Sequence, residues 1–267
     1  VIRGNGWAVV AAAFAASCLC MSDGLVLSCL ADLDFSAQPK RFEVLPGSFV
    51  EIVEELSESG SENSVEYACY SNTLWDGALF ASALLRKRPW LVRGRRVLEI
   101  GAGLGLPSIV AGVLGGRVVA TEQLPLELLR REVGRNAQPI RQGGGEVTCE
   151  ELDWEWPRDK VLERVGTFDV VLGCDILAGV RSGKAHFRQI CGIIEAVLAP
   201  GGEALLTWMS RACVPFERLE TVIAEELPDW DTGFLEGAPD DPAFTRDDLF
   251  MMRMRGPCTR MDLNAMD

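Results

Sequence analysis

Between Arg95 and Trp208, five short runs rich in β-formers recur: "RRVLEI", "GRVVATE", "GEVTCEEL", "TFDVVLGCDIL" and "EALLTW". Several are apolar nearly throughout, without the in–out alternation of a strand that keeps one face wet. Such runs belong to strands buried on both faces. Between them lie stretches with helical spacing, at 105–115, 124–137 and 184–198. In the last of these, Ile190, Ile193, Ile194 and Val197 share one face. Strands alternating with helices predict an α/β fold, a mostly parallel sheet with helices on both faces. Pro200-Gly201-Gly202 reads as a turn into "EALLTW", 215–226 as a further helix and "DDLFMMRMR" as a final strand. The acidic, turn-rich segment 226–249 reads as a surface excursion.

Upstream, residues 41–56 hold two β-rich runs around Pro46-Gly47, a turn signal, and predict a small hairpin. Residues 57–68 read as a loop, and the seven glutamates within 41–66 as a solvated face. In "NTLWDGALFASALLRKRPW", Trp75, Ala78, Leu79, Ala83 and Leu84 fall on one helical face. Asn72 or Thr73 is the expected cap, and Pro89 the stop. The basic cluster Arg86, Lys87, Arg88, Arg93, Arg95 and Arg96 precedes the "VLEI" strand, so it belongs at that strand's amino end. Ligands in open sheets bind at carboxyl ends. With no interleaved aromatic platform expected, the cluster reads as a solvated face and not as a nucleic-acid site.

At 267 residues and 48% hydrophobic, the chain can bury a large core. Its net charge of −13 disfavours long phosphate backbones and favours cationic partners. The nine cysteines are scattered without a CxxC pair, and His186 is the lone histidine, so zinc is not expected. Cys174 and Cys191 lie in apolar runs and read as small buried hydrophobes, which suits a reducing compartment. The apolar run 7–21 is shorter than the about 20 residues of a membrane span. It reads as a buried helix or an unordered tail, with a signal peptide as the open alternative. The expected organisation is an amino-terminal extension over 1–40 and one domain over 41–267, its hairpin decoration at 41–70 and its core at 71–255.

"VLEIGAGLGLP" (97–107) carries the chemistry. A strand enters a turn with glycines at 101, 103 and 105, and Pro107 suits the first turn of the helix that follows. A glycine turn at a helix start holds nucleotide-like ligands. A dinucleotide fingerprint needs its third glycine at 106, where Leu106 stands, and the absence of a following lysine excludes a P-loop. Glu122 ends the next strand, 21 residues past Gly101, where an acid accepts hydrogen bonds from ribose hydroxyls. Turn and acid together predict an adenosine ligand without choosing among NAD, FAD and S-adenosylmethionine.

Four stretches, "LWDGALFASALL" (74–85), "VLEIGAGLGLPSIVA" (97–111), "ELDWEWP" (151–157) and "FDVVLGCDIL" (168–177), resemble the seven-β-strand S-adenosylmethionine-dependent methyltransferases. More narrowly, they resemble the protein-lysine methyltransferases of methyltransferase family 16, the METTL21-like group. The resemblance runs from about Arg41 to Arg255 and implies a Rossmann-like seven-stranded sheet preceded by the hairpin. It also implies the site residues. Glu99, Gly101, Ala102 and Gly103 match the strand end and loop that hold the methionine part of the cofactor. Glu122 matches the ribose acid, and Trp154 the tryptophan against adenine, with Leu152 and Asp153 beside it. Trp75 matches a tryptophan near the cofactor pocket. Asp175 matches the acid that opens the motif beside the transferable methyl, and its expected role is to position the incoming amine or the cofactor's amino group. The bland reading of Asp175 is a carboxylate that caps the loop after the strand. The family's motif continues to a tyrosine where this chain has Ala178, which bears on what the site accepts.

The implied function is methyl transfer from S-adenosylmethionine to a lysine amine of a protein substrate, in a monomeric cytoplasmic protein without metal, nucleic acid or membrane partner. The alternatives are a small-molecule or other non-lysine acceptor, or a binding protein on a methyltransferase scaffold.

Overall fold

The computed structural model describes residues 38–54, 72–176, 184–209, 221, 223–225, 227–235 and 249–256, all within the compact unit Ala37–Asp267. The apolar run 7–21, the loop 57–68, Ala178 and most of the expected helix 215–226 lie outside the described residues.

The sheet has seven strands among the described residues: β3 (Arg96–Ile100), β4 (Arg117–Glu122), β5 (Glu146–Glu151), β6 (Phe168–Cys174), β7 (Leu198–Met209), β8 (Asp231–Phe234) and β9 (Leu249–Arg255). Their order is β5-β4-β3-β6-β7-β9-β8. Strands β3 to β7 pair in parallel, and β9 runs antiparallel between β7 and β8. The alternation of side chains explains the two-sided burial. Val97 of β3 joins one apolar cluster, with Leu84, Leu85 and Ile109, while Leu98 and Ile100 join a second on the other face, with Ile190 and Ile194. Burying one such side chain stabilises by about 1.5–3 kcal/mol, so the sheet is held from both sides.

Helices α1 (Asp76–Lys87), α2 (Leu106–Val113) and α4 (Ala137–Gln142) feed the first cluster. Helices α5 (Arg158–Val165) and α6 (Lys184–Val197) feed the second, and Ile190, Ile193, Ile194 and Val197 are buried as their spacing predicts. Helix α3 (Glu127–Arg135) is the shorter form of the helix expected over 124–137.

Several expectations are corrected. The sequence reading assigned no element to α4 or α5. Helix α5 buries only Val161, so its pattern carries little periodicity. Pro200-Gly201-Gly202 does not precede β7 but lies inside it, absorbed where the register with β6 shifts between Phe168 and Val170. The excursion over 226–249 contains β8, an edge strand of four residues. Helix α1 buries Gly77, Phe80, Ala81, Leu84 and Leu85, whereas Trp75, Ala78, Leu79 and Ala83 are half-buried, so its core stripe is rotated from the expected one. Neither Asn72 nor Thr73 caps α1; Trp75 holds the cap position without a side-chain cap bond.

The hairpin β1 (Lys40–Leu45) and β2 (Ser48–Ile52) pairs antiparallel across Pro46-Gly47 and buries Val44, Val50 and Ile52 on the α2 side. Asn136, just past α3, fastens it. Its Oδ1 accepts from Glu51 N at 2.8 Å, and its Nδ2 donates to Glu51 O at 2.8 Å. One turn earlier, buried Glu132 accepts from Val53 N at 3.1 Å and pairs with Arg131 and Arg135. The asparagine thus completes the β2 edge as a neighbouring strand would.

Candidate active site

A cavity of about 420 Å³ opens at the carboxyl ends of β3, β4, β5 and β6. Strand order reverses between β3 and β6, and an open α/β sheet binds ligands at such a switch point. The volume lies in the range of small-molecule sites, roughly 300–1,000 Å³.

The glycine turn forms its floor. Gly101, Gly103 and Gly105 have φ of 66°, 53° and 74°. In this left-handed region a side chain is strained. A Cβ on Gly101 would lie 2.9 Å from Ile176 Cγ2 and 3.0 Å from Trp154 Cζ2, so no larger residue fits between loop and wall. Ala102 N donates to Thr121 O at 2.8 Å, and Gly105 caps α2.

Glu99, the penultimate residue of β3, lies beneath this turn and is buried. Its Oε2 accepts from Ser108 N at 2.9 Å and from Ser108 Oγ. Burial pushes its carboxyl up to about 8; the Ser108 bonds pull the other way and the Glu122 carboxylate adds to the rise. Burial likewise pushes the neighbouring Cys174 thiol up. Glu122 ends β4 and accepts from Gly103 N and from Gln123 N, each at 2.9 Å. A carboxylate is an acceptor group, the type a ribose diol donates to.

Past β5, Leu152 N donates to Glu122 O at 3.1 Å, and Asp153 Oδ1 accepts from Glu155 N at 2.9 Å. This local turn presents half-buried Trp154 to the cavity opposite Gly101. Asp175 follows β6 with φ of 55°, a conformation aspartate tolerates better than most residues. Its Oδ2 accepts from Gly77 N in the first turn of α1 at 2.8 Å. A carboxylate at a helix amino end is favoured by the exposed N–H groups and the dipole. Asp175 therefore supplies from another element the cap that Asn72 and Thr73 do not. Trp75, Leu74 and Thr73 line the cavity from the α1 side, and Leu74 N is held by Glu54 Oε1 at 2.7 Å.

All nine residues singled out from the sequence, Trp75, Glu99, Gly101, Ala102, Gly103, Glu122, Asp153, Trp154 and Asp175, line this one cavity. Sequence reasoning missed Ser108, Gly77 and Gln189. A glycine inside a helical pattern was the available signal for Gly77; Ser108 and Gln189 carried none. The backbone of His186 lies in α6. Glu99, Glu122, Asp153, Glu155 and Asp175 put five carboxyl groups on the lining, and no described lining residue is basic. Among the described residues, no group of His, Cys, Asp and Glu side chains is arranged to hold a metal ion.

A lysine methyltransferase family model matches residues 60–211, more than half of the chain. The chain belongs to the lysine methyltransferase family. Among curated relatives, the protein N-lysine methyltransferase METTL21A of Danio rerio is 38% identical over 105 residues, which covers 39% of this chain and 46% of the relative. The EEF1A lysine methyltransferase 3 of Mus musculus is 29% identical over 140 residues, 52% of this chain and 56% of the relative. The matches thus span about half the length of these relatives. A solved structure, the glycopeptide N-methyltransferase MtfA complexed with sinefungin, shares the fold at a TM-score of 0.52, with 16% identity over 68% of this chain and 95% of that one. In this member of the family the match spans the glycine turn, Glu122, Trp154 and Asp175, which the sheet brings to one rim.

Proposed function

We propose that the chain transfers a methyl group from S-adenosylmethionine to the side-chain amine of a lysine in a protein substrate. The observation that carries this reading is the charge of the cavity: the carboxyl groups of Glu122, Asp153, Glu155 and Asp175, beside a Glu99 that burial keeps protonated at neutral pH, and no described basic side chain around a glycine turn. Such a lining repels the pyrophosphate of a dinucleotide. It suits a ligand bearing a sulfonium and an ammonium, and then a second cation, the lysine.

Gly101, Ala102 and Gly103, with Glu99 beneath, receive the methionine part. Glu122 accepts from the ribose hydroxyls, and Trp154 offers a flat apolar face to adenine, with Asp153 fixing its turn. Trp75 closes the cavity from α1. When bound, S-adenosylmethionine supplies an electrophilic methyl group, so the protein's task is alignment and exclusion of water. A lysine attacks only as the neutral amine, against a reference pKa of about 10.4. A nearby carboxylate favours the charged form, so Asp175 positions the amine and is not a strong base. Its bond to Gly77 N fixes the carboxylate for that role. The free thiols Cys149, Cys174 and Cys191 support a cytoplasmic location. Among the described residues no helix is long and apolar enough to cross a membrane.

Calorimetry with S-adenosylmethionine, followed by transfer of tritiated methyl groups into a cell lysate and mass spectrometry of the labelled band, tests the proposal. Failure of the folded protein to bind the cofactor refutes it. Binding without transfer to any protein favours the scaffold reading, to which Ala178 in place of the family's tyrosine lends support.

A further inference from the structure

The end of the sheet opposite the cavity has a different character. Trp90 sits there on a short 3-10 turn, Pro89–Leu91, and is 66% exposed. The turn is rigid. Leu91 N donates to Arg88 O at 3.0 Å and Arg93 N to Pro89 O at 2.9 Å, while Leu91 and Val92 are buried beneath. The indole is thus held outward by a backbone that cannot easily turn it in. A buried tryptophan removes about 150–250 Å² from water, and here most of that opportunity is left open.

The charges around Trp90 are equally distinctive. Several described arginines pair with carboxylates: Arg95 and Arg255 with Glu203, Arg131 and Arg135 with Glu132, Arg158 with Glu195, Arg164 with Glu150. Arg86, Arg93, Arg96 and Arg117 are exposed and have no side-chain ion pair among the described residues. Arg93 and Arg117 are tethered by neutral acceptors, Leu114 O and Gly94 O, while the Arg96 guanidinium lies over Phe168 on the other face of the sheet and its backbone N–H donates to Asp169 Oδ2. The bonds of Arg93 and Arg117 orient their guanidinium groups without neutralising them. A cationic patch built around an exposed tryptophan, on a chain of net charge −13, is a local reversal of sign.

We infer that this patch is a docking surface for an acidic segment of a partner protein, with an apolar side chain of that segment covering Trp90. Arginine and tryptophan are the residues that most often dominate protein interfaces. The patch holds one aromatic, not a row, so it lacks the stacking track of a single-stranded nucleic-acid site. Among the described residues, the other exposed large apolar side chains, such as Phe49 and Leu162, lie on other elements and form no apolar stripe with Trp90 of the kind a lipid surface takes. From the patch to the cavity is the length of β3, roughly 17 Å, so a partner docked here leaves the cavity open.

The test is fluorescence anisotropy of the full chain with a fluorescein-labelled peptide of glutamates around one central leucine. Trp90→Ser and the double variant Arg86→Glu/Arg93→Glu should each weaken binding about tenfold or more. Binding should fall with added salt, and circular dichroism and cofactor affinity should stay unchanged. Unchanged peptide affinity in both variants overturns the inference. So does tighter binding of an oligothymidylate or of phosphatidylserine vesicles than of the peptide, or a self-association that the variants abolish. The readout does not involve methyl transfer, so this inference and the proposed activity stand or fall separately.

Discussion

Two helix glycines offer a test of the site's tightest contact, because helix propensity predicts the same sign for both and the structure predicts opposite signs. Gly134 lies exposed in α3, and a Cβ there would meet nothing within 4 Å. Gly134→Ala should stabilise by about 0.5–1 kcal/mol, the ordinary gain from replacing glycine in a helix. At Gly77 the same Cβ would fall 2.5 Å from Thr207 Oγ1 and 2.6 Å from Asp175 Oδ2. Both neighbours are buried, so neither gives way freely. Overpacking costs about 1–3 kcal/mol, and disturbing the charge-assisted bond from Gly77 N to Asp175 adds about 1.5–3 kcal/mol. Set against a propensity gain of about 1 kcal/mol, Gly77→Ala should destabilise by about 1.5–5 kcal/mol. Urea denaturation of the two variants beside the parent measures both. Gly77→Ala no less stable than the parent would refute the close approach of α1 to Asp175, and with it the positioning assigned to that carboxylate.

Gly101→Arg combines a left-handed φ with contacts to Ile176 and Trp154, and calorimetry should find no measurable S-adenosylmethionine binding; retained affinity would displace the cofactor from the glycine turn. Burial pushes the Glu99 carboxyl from its ordinary 4.5 up to about 8, so the native state binds the extra proton and stability falls as pH rises between those values. Glu99→Gln, which cannot ionise, should therefore gain in melting temperature relative to the parent at pH about 9 compared with pH about 5, and a pH-independent difference would count against a neutral Glu99. Asn136→Ala leaves the N–H and C=O of Glu51 without their partner, at about 1–3 kcal/mol for each buried group. Hydrogen exchange at the Glu51 amide should accelerate selectively, whereas exchange unchanged there would show that the hairpin is held by its apolar contacts alone.

Much of the sheet was legible because burial on two faces leaves a strong mark. The strands β3, β4 and β6 are apolar for most of their length, and nothing but a covered strand tolerates that. Strand β8 left no such mark, since "DTGF" at the sheet edge is polar and glycine-bearing and takes its conformation from pairing with β9. At the site, Gly101 and Glu122 were readable from spacing because the strand lengths fix their offset. Trp154 and Asp175 came from family resemblance. The clamp at Asn136 was unreadable, since its partner Glu51 lies 85 residues away and only the folded chain brings them together. The basic cluster was read as lacking an aromatic although Trp90 stood within it; exposure of a tryptophan is a tertiary fact, and the sequence pattern favours burying one.

The strand order has a consequence for handling the protein. Among the described residues the open sheet ends in two edges, β5 and β8, and an edge strand is able to recruit a strand from another molecule. The β8 edge is short and begins with exposed Asp231. The β5 edge carries Glu146, Glu150 and Glu151 in six residues, so two copies meeting there would align like charges. Both guards are carboxylates, so the barrier they set against edge-to-edge growth is electrostatic and depends on pH and salt.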